Sequence, residues 1–325
     1  MLSTTRRAVL GSYLASMAMT IGRRASADTR AWPTGPVKII VPVPAGTATD
    51  LTARIFGERL APIWQQPVVV EPKPGGDGLA GLGAFAALRD PNALLFSFST
   101  AVSLNPQIYK SLPYDATSDL VPITTTTEVL FALAVNATST VTSLAQLVSE
   151  VRAQPGKLTW GAAPGLPHFV FERFRQENNL DMAYVGYRQT STAVTDVGEG
   201  RLQVLIAAAQ TLQPAIQTGK ARLIAVCSAT QAPQLPGVPT APEAGFPNLV
   251  VPGIGCAYGG RGMTADVRDR IAGDIDVVAQ APDLVARFSQ IGQAVKRSTP
   301  LQLAQLMDQQ RQALAPLAKV MAAAQ

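Results

Sequence analysis

A single histidine and two cysteines are the only imidazole and thiol groups in 325 residues. So dispersed a set cannot complete a tetrahedral zinc site, and no metal is expected. There is no GxxxxGK[ST] phosphate loop, and neither G-x-S-x-G nor S-x-x-K, two common settings for an activated serine. The stretch "GGDGLAG" (75–81) matches a dinucleotide glycine motif only loosely and serves a tight turn more simply, so no cofactor is expected. Trp, Tyr and Phe together reach 6%, too few to build a stacking platform for single-stranded nucleic acid. Charged residues are also scarce, at 15%. The formal charge of +5 comes mostly from Arg6, Arg7, Arg23 and Arg24. Without these four, 23 bases face 22 acids, which gives no reason to expect a nucleic-acid partner.

Long hydrophobic runs are missing too. The first 27 residues contain no acid, and Ala8–Ile21 is too short for a membrane span of about 20 residues. A basic start, a short apolar centre and Ala25-Ser26-Ala27 before Asp28 read as an export signal cut after Ala27. "TTRRAVLG" fits a twin-arginine signal and a general secretory signal equally, and both stay open. No cysteine follows the apolar centre to carry a lipid, and no second stretch could span a bilayer. The expectation is therefore a periplasmic protein without stable membrane insertion. Export permits a disulfide between Cys227 and Cys256. Each cysteine also lies in an apolar run where a free thiol packs as a small hydrophobe, and the pairing stays open.

What the chain does have is apolar residues, 47% of the total, arranged as strands alternating with helices. Strands are read at 37–43, 67–71, 93–100, 128–136, 157–163, 182–187, 202–209, 221–229 and 250–258. Helices are read from Asp50, through Leu88, at 143–153, 167–176, 191–198, 265–280 and 283–291, and from Pro300 to the end, with Pro316 kinking or dividing the last. This alternation implies an α/β protein with parallel sheets, in which ligands bind outside the carboxyl ends of strands. In "IIVPVPAGTATDLTAR" (39–54) an apolar strand runs through small residues into a helix, whose first amides have no partner in their own helix. Segments 97–101 and 162–168 hold equivalent positions. His168 near a helix start is more simply a cap or a core hydrogen-bonder than a general base, and Asp50 suits a helix first turn as well as it suits a ligand contact.

Six stretches share a further pattern: "VKIIVPVPAGTATDLTARIFGERL", "QPVVVEPKPGG", "LNPQIYKSLPYDATSDLVPI", "LAQLVSEVRAQPGKLTWG", "GYRQTSTAVTDVGEGRLQ" and "QLPGVPTAPEAGFPNL". Together they resemble the Bug (Bordetella uptake gene) family, the substrate-binding receptors of tripartite tricarboxylate transporters. The likeness runs from Trp32 to the last helix. It implies a two-lobe, type II-like Venus flytrap, each lobe a mainly parallel sheet flanked by helices, the two joined by crossing strands. Lobe 1 would take 28–125 and 255–325, and lobe 2 would take 126–254. The resemblance implies no enzyme and no cofactor. It implies a small organic acid held between the lobes, a membrane permease as partner, and a monomer. An exported hydrolase or lyase of unrecognised design, or a receptor serving only a membrane sensor, are the alternatives.

The resemblance places ligand contacts at Ala45, Gly46, Thr47, Thr49, Asp50, Ser99, Thr100 and Asn105 in lobe 1. In lobe 2 it places them at Ala163, Gly165, His168, Tyr187 and Arg188. Pro44-Ala45-Gly46-Thr47 stands where the family usually has Pro-Pro-Gly-Gly, and Ser97-Phe98-Ser99 where it has Gly-Thr-Ser. The segment 161–168 is shorter than usual. Tyr187-Arg188-Gln189-Thr190 replaces Tyr-Lys-Gly-Gly, and Ala207 replaces a common aspartate. The Arg188 guanidinium could grip a carboxylate or could lie solvated at the surface. An acid with an apolar or aromatic body is expected rather than citrate.

Overall fold

A computed structural model describes residues 32–162, 166–187, 189–251 and 253–323. The export signal read at 1–27, and the contacts placed at Ala163, Gly165 and Arg188, lie outside the described residues. Along the chain come β1 (Val37–Val41), α1 (Ala48–Trp64), β2 (Val68–Pro72), α2 (Leu79–Leu88), β3 (Ala93–Phe98), α3 (Thr100–Ser103), α4 (Asn105–Ile108) and β4 (Val121–Val129). The next elements are β5 (Phe131–Asn136), α5 (Leu144–Ala153), β6 (Thr159–Ala162), α6 (Leu166–Glu177), β7 (Ala183–Tyr184), α7 (Thr190–Gly198), β8 (Val204–Ala208), α8 (Ala209–Gln217) and β9 (Ala221–Val226). The chain ends with β10 (Gly253–Gly259), α9 (Ala265–Ala279), α10 (Pro282–Gln290), β11 (Gln293–Val295) and α11 (Pro300–Ala323).

These strands form two sheets, ordered β11-β4-β10-β3-β1-β2 and β7-β6-β8-β5-β9. The fold is the expected two-lobe Venus flytrap, but its sheets are mixed rather than mainly parallel. β1 pairs in parallel with β2 and β3, and β6 with β7 and β8. The antiparallel pairs come from the lobe crossings. The chain leaves the first sheet along β4 and returns along β10, which inserts between β3 and β4 and runs against both. β5, entering the second sheet, runs against β8 and β9. A single residue, Leu130, separates β4 from β5. The carboxyl ends of β1, β3, β6 and β8 consequently all point into the gap between the sheets.

Both faces of each sheet are covered, as continuous apolar strands require. In the first lobe Ile39, Val41, Leu94 and Phe96 pack on Phe56 and Leu60 of α1 and Ile271 and Ile275 of α9. The alternate residues Ile40, Leu95, Cys256 and Tyr258 meet Leu82 and Phe85 of α2 and Leu303 and Met307 of α11. In the second lobe Leu133, Val204, Ile206 and Trp160 take one face, and Ala132, Ala134, Leu205 and Ala207 the other. Helix α11 serves both lobes, because Leu314, Leu317 and Ala318 pack into the second-lobe core. It runs unbroken through Pro316. The two thiols do not pair: Cys227 and Cys256 are free and buried. Burial pushes the Cys256 thiol up to about 12 and Cys227 higher still, so neither is a nucleophile near neutral pH. Among the described residues no helix is long and apolar enough to cross a membrane, and no group of His, Cys, Asp and Glu could hold a metal.

Candidate functional site

The loop between β1 and α1 is held by the helix it precedes. Asp50 is 1% exposed, and its carboxylate reaches back to accept from the Gly46 amide at 2.8 Å. The same carboxylate accepts from Arg54 Nε at 3.0 Å and Nη2 at 3.1 Å. An acidic side chain at the third helical position bonding back to an amide ahead of the helix is half of a capping box shifted by one residue, from the N-cap amide to that of Gly46. The other half is missing: Thr47 holds the N-cap position, but its hydroxyl donates to the Pro44 carbonyl at 2.7 Å. Gly46 lies at φ +80°, where only glycine is at ease, and nothing stands within 4 Å of the place its Cβ would occupy. Asp50 thus braces the loop. The amides of Ala48, Thr49 and Asp50 have no carbonyl partner in the helix they head, so they remain free to donate into the gap.

β3 lies beside β1 in the sheet and brings a second polar group to the same end. Ser99 is fully buried, its amide bonds Ile254, and its hydroxyl has no partner. The hydroxyls of Ser97 and Thr125 are also buried and unpaired, at the two positions flanking Cys256 in the sheet. Such orphans are rare in folded proteins because a lost hydrogen bond costs about 1–3 kcal/mol. Thr100 is half-buried in α3. Asn105 sits deeper, donating to the Tyr114 hydroxyl at 3.2 Å, while Tyr114 donates to the Ala101 carbonyl at 2.7 Å. Burial raises Tyr114 to about 12.

In the second lobe the sole histidine is built into an aromatic stack. The His168 ring lies 5.3 Å from Trp160, nearly parallel, and 4.4 Å edge-on to Tyr184. Its Nδ1 is buried without a partner. Burial holds its pKa below the ordinary 6.5, with Glu172 pulling the other way. A histidine kept neutral by folding takes up a proton more readily when unfolded, so stability falls as pH drops below about 6.5. His168→Gln should flatten that acid-side loss while leaving stability at pH 8 within about 1 kcal/mol of wild type, read from urea melts at both pH values. Equal pH slopes for the two proteins would refute it. Tyr187 donates to Asp196 at 2.8 Å, and burial with that bond raises it to about 12. Its ring covers Gly161. Ala207 belongs to the core, and the half-buried Ala208 follows it at the strand end.

Sequence reasoning missed a polar knot behind the α1 start. Gln293 is fully buried; its Nε2 donates to the Ala48 carbonyl at 3.1 Å, and its Oε1 accepts from Thr52 at 2.8 Å. Thr52 also lies 3.4 Å from the Thr127 hydroxyl on β4. No local pattern marks residues so far apart in the chain. Gln210, at the start of α8, has a buried and unpaired Oε1, in a helix that the sequence reading does not include.

Comparison with known proteins accords with this arrangement. The model of the tripartite tricarboxylate transporter family receptor matches residues 52–321. Protein BugT of Bordetella pertussis is 28% identical over 90% of each chain. A solved periplasmic transporter shares 28% identity and superposes with a TM-score of 0.78, covering 89% of this chain and 98% of its own. A Rhodopseudomonas palustris protein solved with adipate has 24% identity and a TM-score of 0.79 over 89% and 98% of the two chains. With strands that cross twice between sheets, helix starts turned to the gap between them and most of its length matched, the chain belongs to the family of tripartite tricarboxylate transporter receptors, a family of solute-binding proteins rather than enzymes.

Proposed function

We propose that this receptor is exported, cut after Ala27, and captures a small organic acid in the periplasm between lobes of residues 28–125 with 255–325 and 126–254. It would act as a monomer and deliver the acid to a membrane permease. The observation that carries the proposal is the pairing at the ends of β1 and β3. Three free amides at the positive end of a 17-residue helix follow β1, and a buried hydroxyl without a partner follows β3, the strand beside it. Unpaired amides and the helix dipole together favour an anion. Ala45, Gly46, Thr47, Thr49, Ser99 and Thr100 would then line one end of the acid. Ala163, Gly165, His168, Tyr187 and Arg188 would line the other. The run Ala207-Ala208-Ala209 brings no charge to the end of β8, which favours an acid with an apolar body. Lobe closure about the crossing strands is the motion expected of such a binder.

A thermal-shift screen with adipate, malate, citrate and benzoate tests the proposal. At a hundredfold excess over Kd, binding to the folded state alone adds about 2.7 kcal/mol, a rise of several degrees in Tm. The expected result is a shift with a longer or more apolar acid that exceeds any shift with citrate. No shift with any of the four would overturn the carboxylate assignment, and citrate as the strongest stabiliser would overturn the apolar preference.

A further inference from the structure

The two lobes meet closely at a glycine turn. Gly292 forms the turn between α10 and β11 with φ +68°, and its amide donates to the Ser289 carbonyl at 3.0 Å. A Cβ added there would stand 3.0 Å from Gln210 Cβ and 3.1 Å from Gln210 Cα and N. Gln210 belongs to α8, on the other lobe. Two of the three atoms are backbone, so no rotamer change can make room.

The contact sits beside the pivot. Ala209, one residue before Gln210, donates its amide to the Leu130 carbonyl at 2.7 Å, and Leu130 is the single residue joining β4 to β5. Gln293, one residue after Gly292, pairs with Val129 at the end of β4 and holds the Ala48 carbonyl at the α1 start. The turn therefore touches the lobe crossing, the start of the first-lobe helix and the start of the second-lobe helix together. A small displacement beside a hinge becomes a larger one at the far rim of the lobes, because the lobes move as packed bodies.

We propose that Gly292 is a positioning residue that sets the angle between the lobes: the bare turn is the seat against which the start of α8 rests, and any side chain there holds α8 away from it. The proposal rests on the two-lobe receptor assigned above and gives it a built-in stop. Ligand affinity then depends on a residue that need not touch the ligand, because the second-lobe contacts reach the acid only when α8 is seated.

The test separates a wedge from simple backbone strain, and it needs no ligand. Spin labels on Ser149→Cys and Val277→Cys report the interlobe distance; both positions are exposed, whereas native Cys227 and Cys256 are buried and stay unlabelled. Asparagine tolerates positive φ better than other residues with side chains, so Gly292→Asn adds the wedge with little strain. Gly262→Asn is the control, because Gly262 has φ +87° and nothing within 4 Å of its Cβ position. The expected result is a displaced main distance peak in Gly292→Asn and an unchanged peak in Gly262→Asn. A wild-type peak in Gly292→Asn, or an equal displacement in both, overturns the proposal. If Gly292→Asn fails to fold, Gly292→Ala is read in the same way. Failure of the receptor assignment would appear separately, as an absence of any thermal shift in the unlabelled wild-type protein.

Discussion

Trp160→Ala should destabilise the second lobe by about 3–5 kcal/mol, the range for deleting a large buried ring. Trp160 is fully buried at the centre of that lobe, 4.7 Å from the ring of Phe171, 4.8 Å from Tyr184 and 5.3 Å from His168. Its replacement empties a space walled by three other rings, and their backbones sit in a strand and a helix that cannot collapse inward. No hydrogen bond is lost, because the indole Nε1 is buried without a partner. The loss is one of packing alone. That gives the prediction a second arm: Trp160→Phe keeps most of the ring contacts and removes an unsatisfied donor, so it should cost clearly less than half as much. Urea denaturation followed by far-UV circular dichroism reads both. A cost below about 1 kcal/mol for the alanine variant would mean that the stack is not a core.

The same stack shows what could be read from the chain and what could not. The sequence pattern puts His168 at the start of a helix in the second lobe, and it is there. Its neighbours Trp160 and Tyr184 come from two other elements, and nothing local announces that three rings will meet. Caps were legible for the opposite reason, since a cap bonds within its own turn: Ser143 accepts from Gln146 and Thr264 from Val267, at the helix starts read from the sequence. The stretch 128–136 has the pattern of one strand, yet it changes sheets at Leu130. Its apolar residues run on without a break because both sheets bury their strands on both faces, so composition gives no mark of the crossing. β11 is only three residues long and leaves no period to detect. α8 was hidden by Pro214 in its interior, a residue that ordinarily argues against a helix.

At the candidate site the balance is similar. The sequence of strand, small residues and helix start was enough to single out residues 44–50, because every part of that device lies within a few positions. The sequence allows two roles for Asp50, and its partners appear only in the structure. Gly46 and Arg54 each stand four positions away, one on either side, and together they take its carboxylate. The knot at Gln293 and the seat at Gly292 depend on residues brought together from distant parts of the chain. Their cost or benefit appears only once both lobes are packed, so no local propensity could encode it.

Asp50→Ala should both loosen the fold and weaken acid binding, whereas Asp50→Asn should separate those effects. Alanine leaves the Gly46 amide without its acceptor and Arg54 without its partner. Gly46 itself is exposed, so water can take the place of the lost acceptor, and the first loss costs about 1 kcal/mol. The second adds little, because the Arg54 side chain is 49% exposed and water screens its charge. With nothing to fold it back over the helix start, the loop Pro44–Thr47 no longer fixes the line of approach to the amides of Ala48, Thr49 and Asp50. Affinity for the acid should then fall about tenfold or more, the equivalent of roughly 1.4 kcal/mol. Asparagine keeps an oxygen that can accept from Gly46, so the loop retains its shape. It also removes a negative charge from the place where the ligand's carboxylate is assigned, and like charges repel. Asp50→Asn should therefore bind the acid at least as tightly as wild type. Isothermal titration of the three proteins with the strongest stabiliser among adipate, malate, citrate and benzoate gives the ranking. Full affinity in Asp50→Ala would remove the loop from the site. Clearly weaker binding by Asp50→Asn than by wild type, with the loop intact, would mean that the Asp50 carboxylate itself grips a donor of the ligand, and that the anion seat lies elsewhere in the gap.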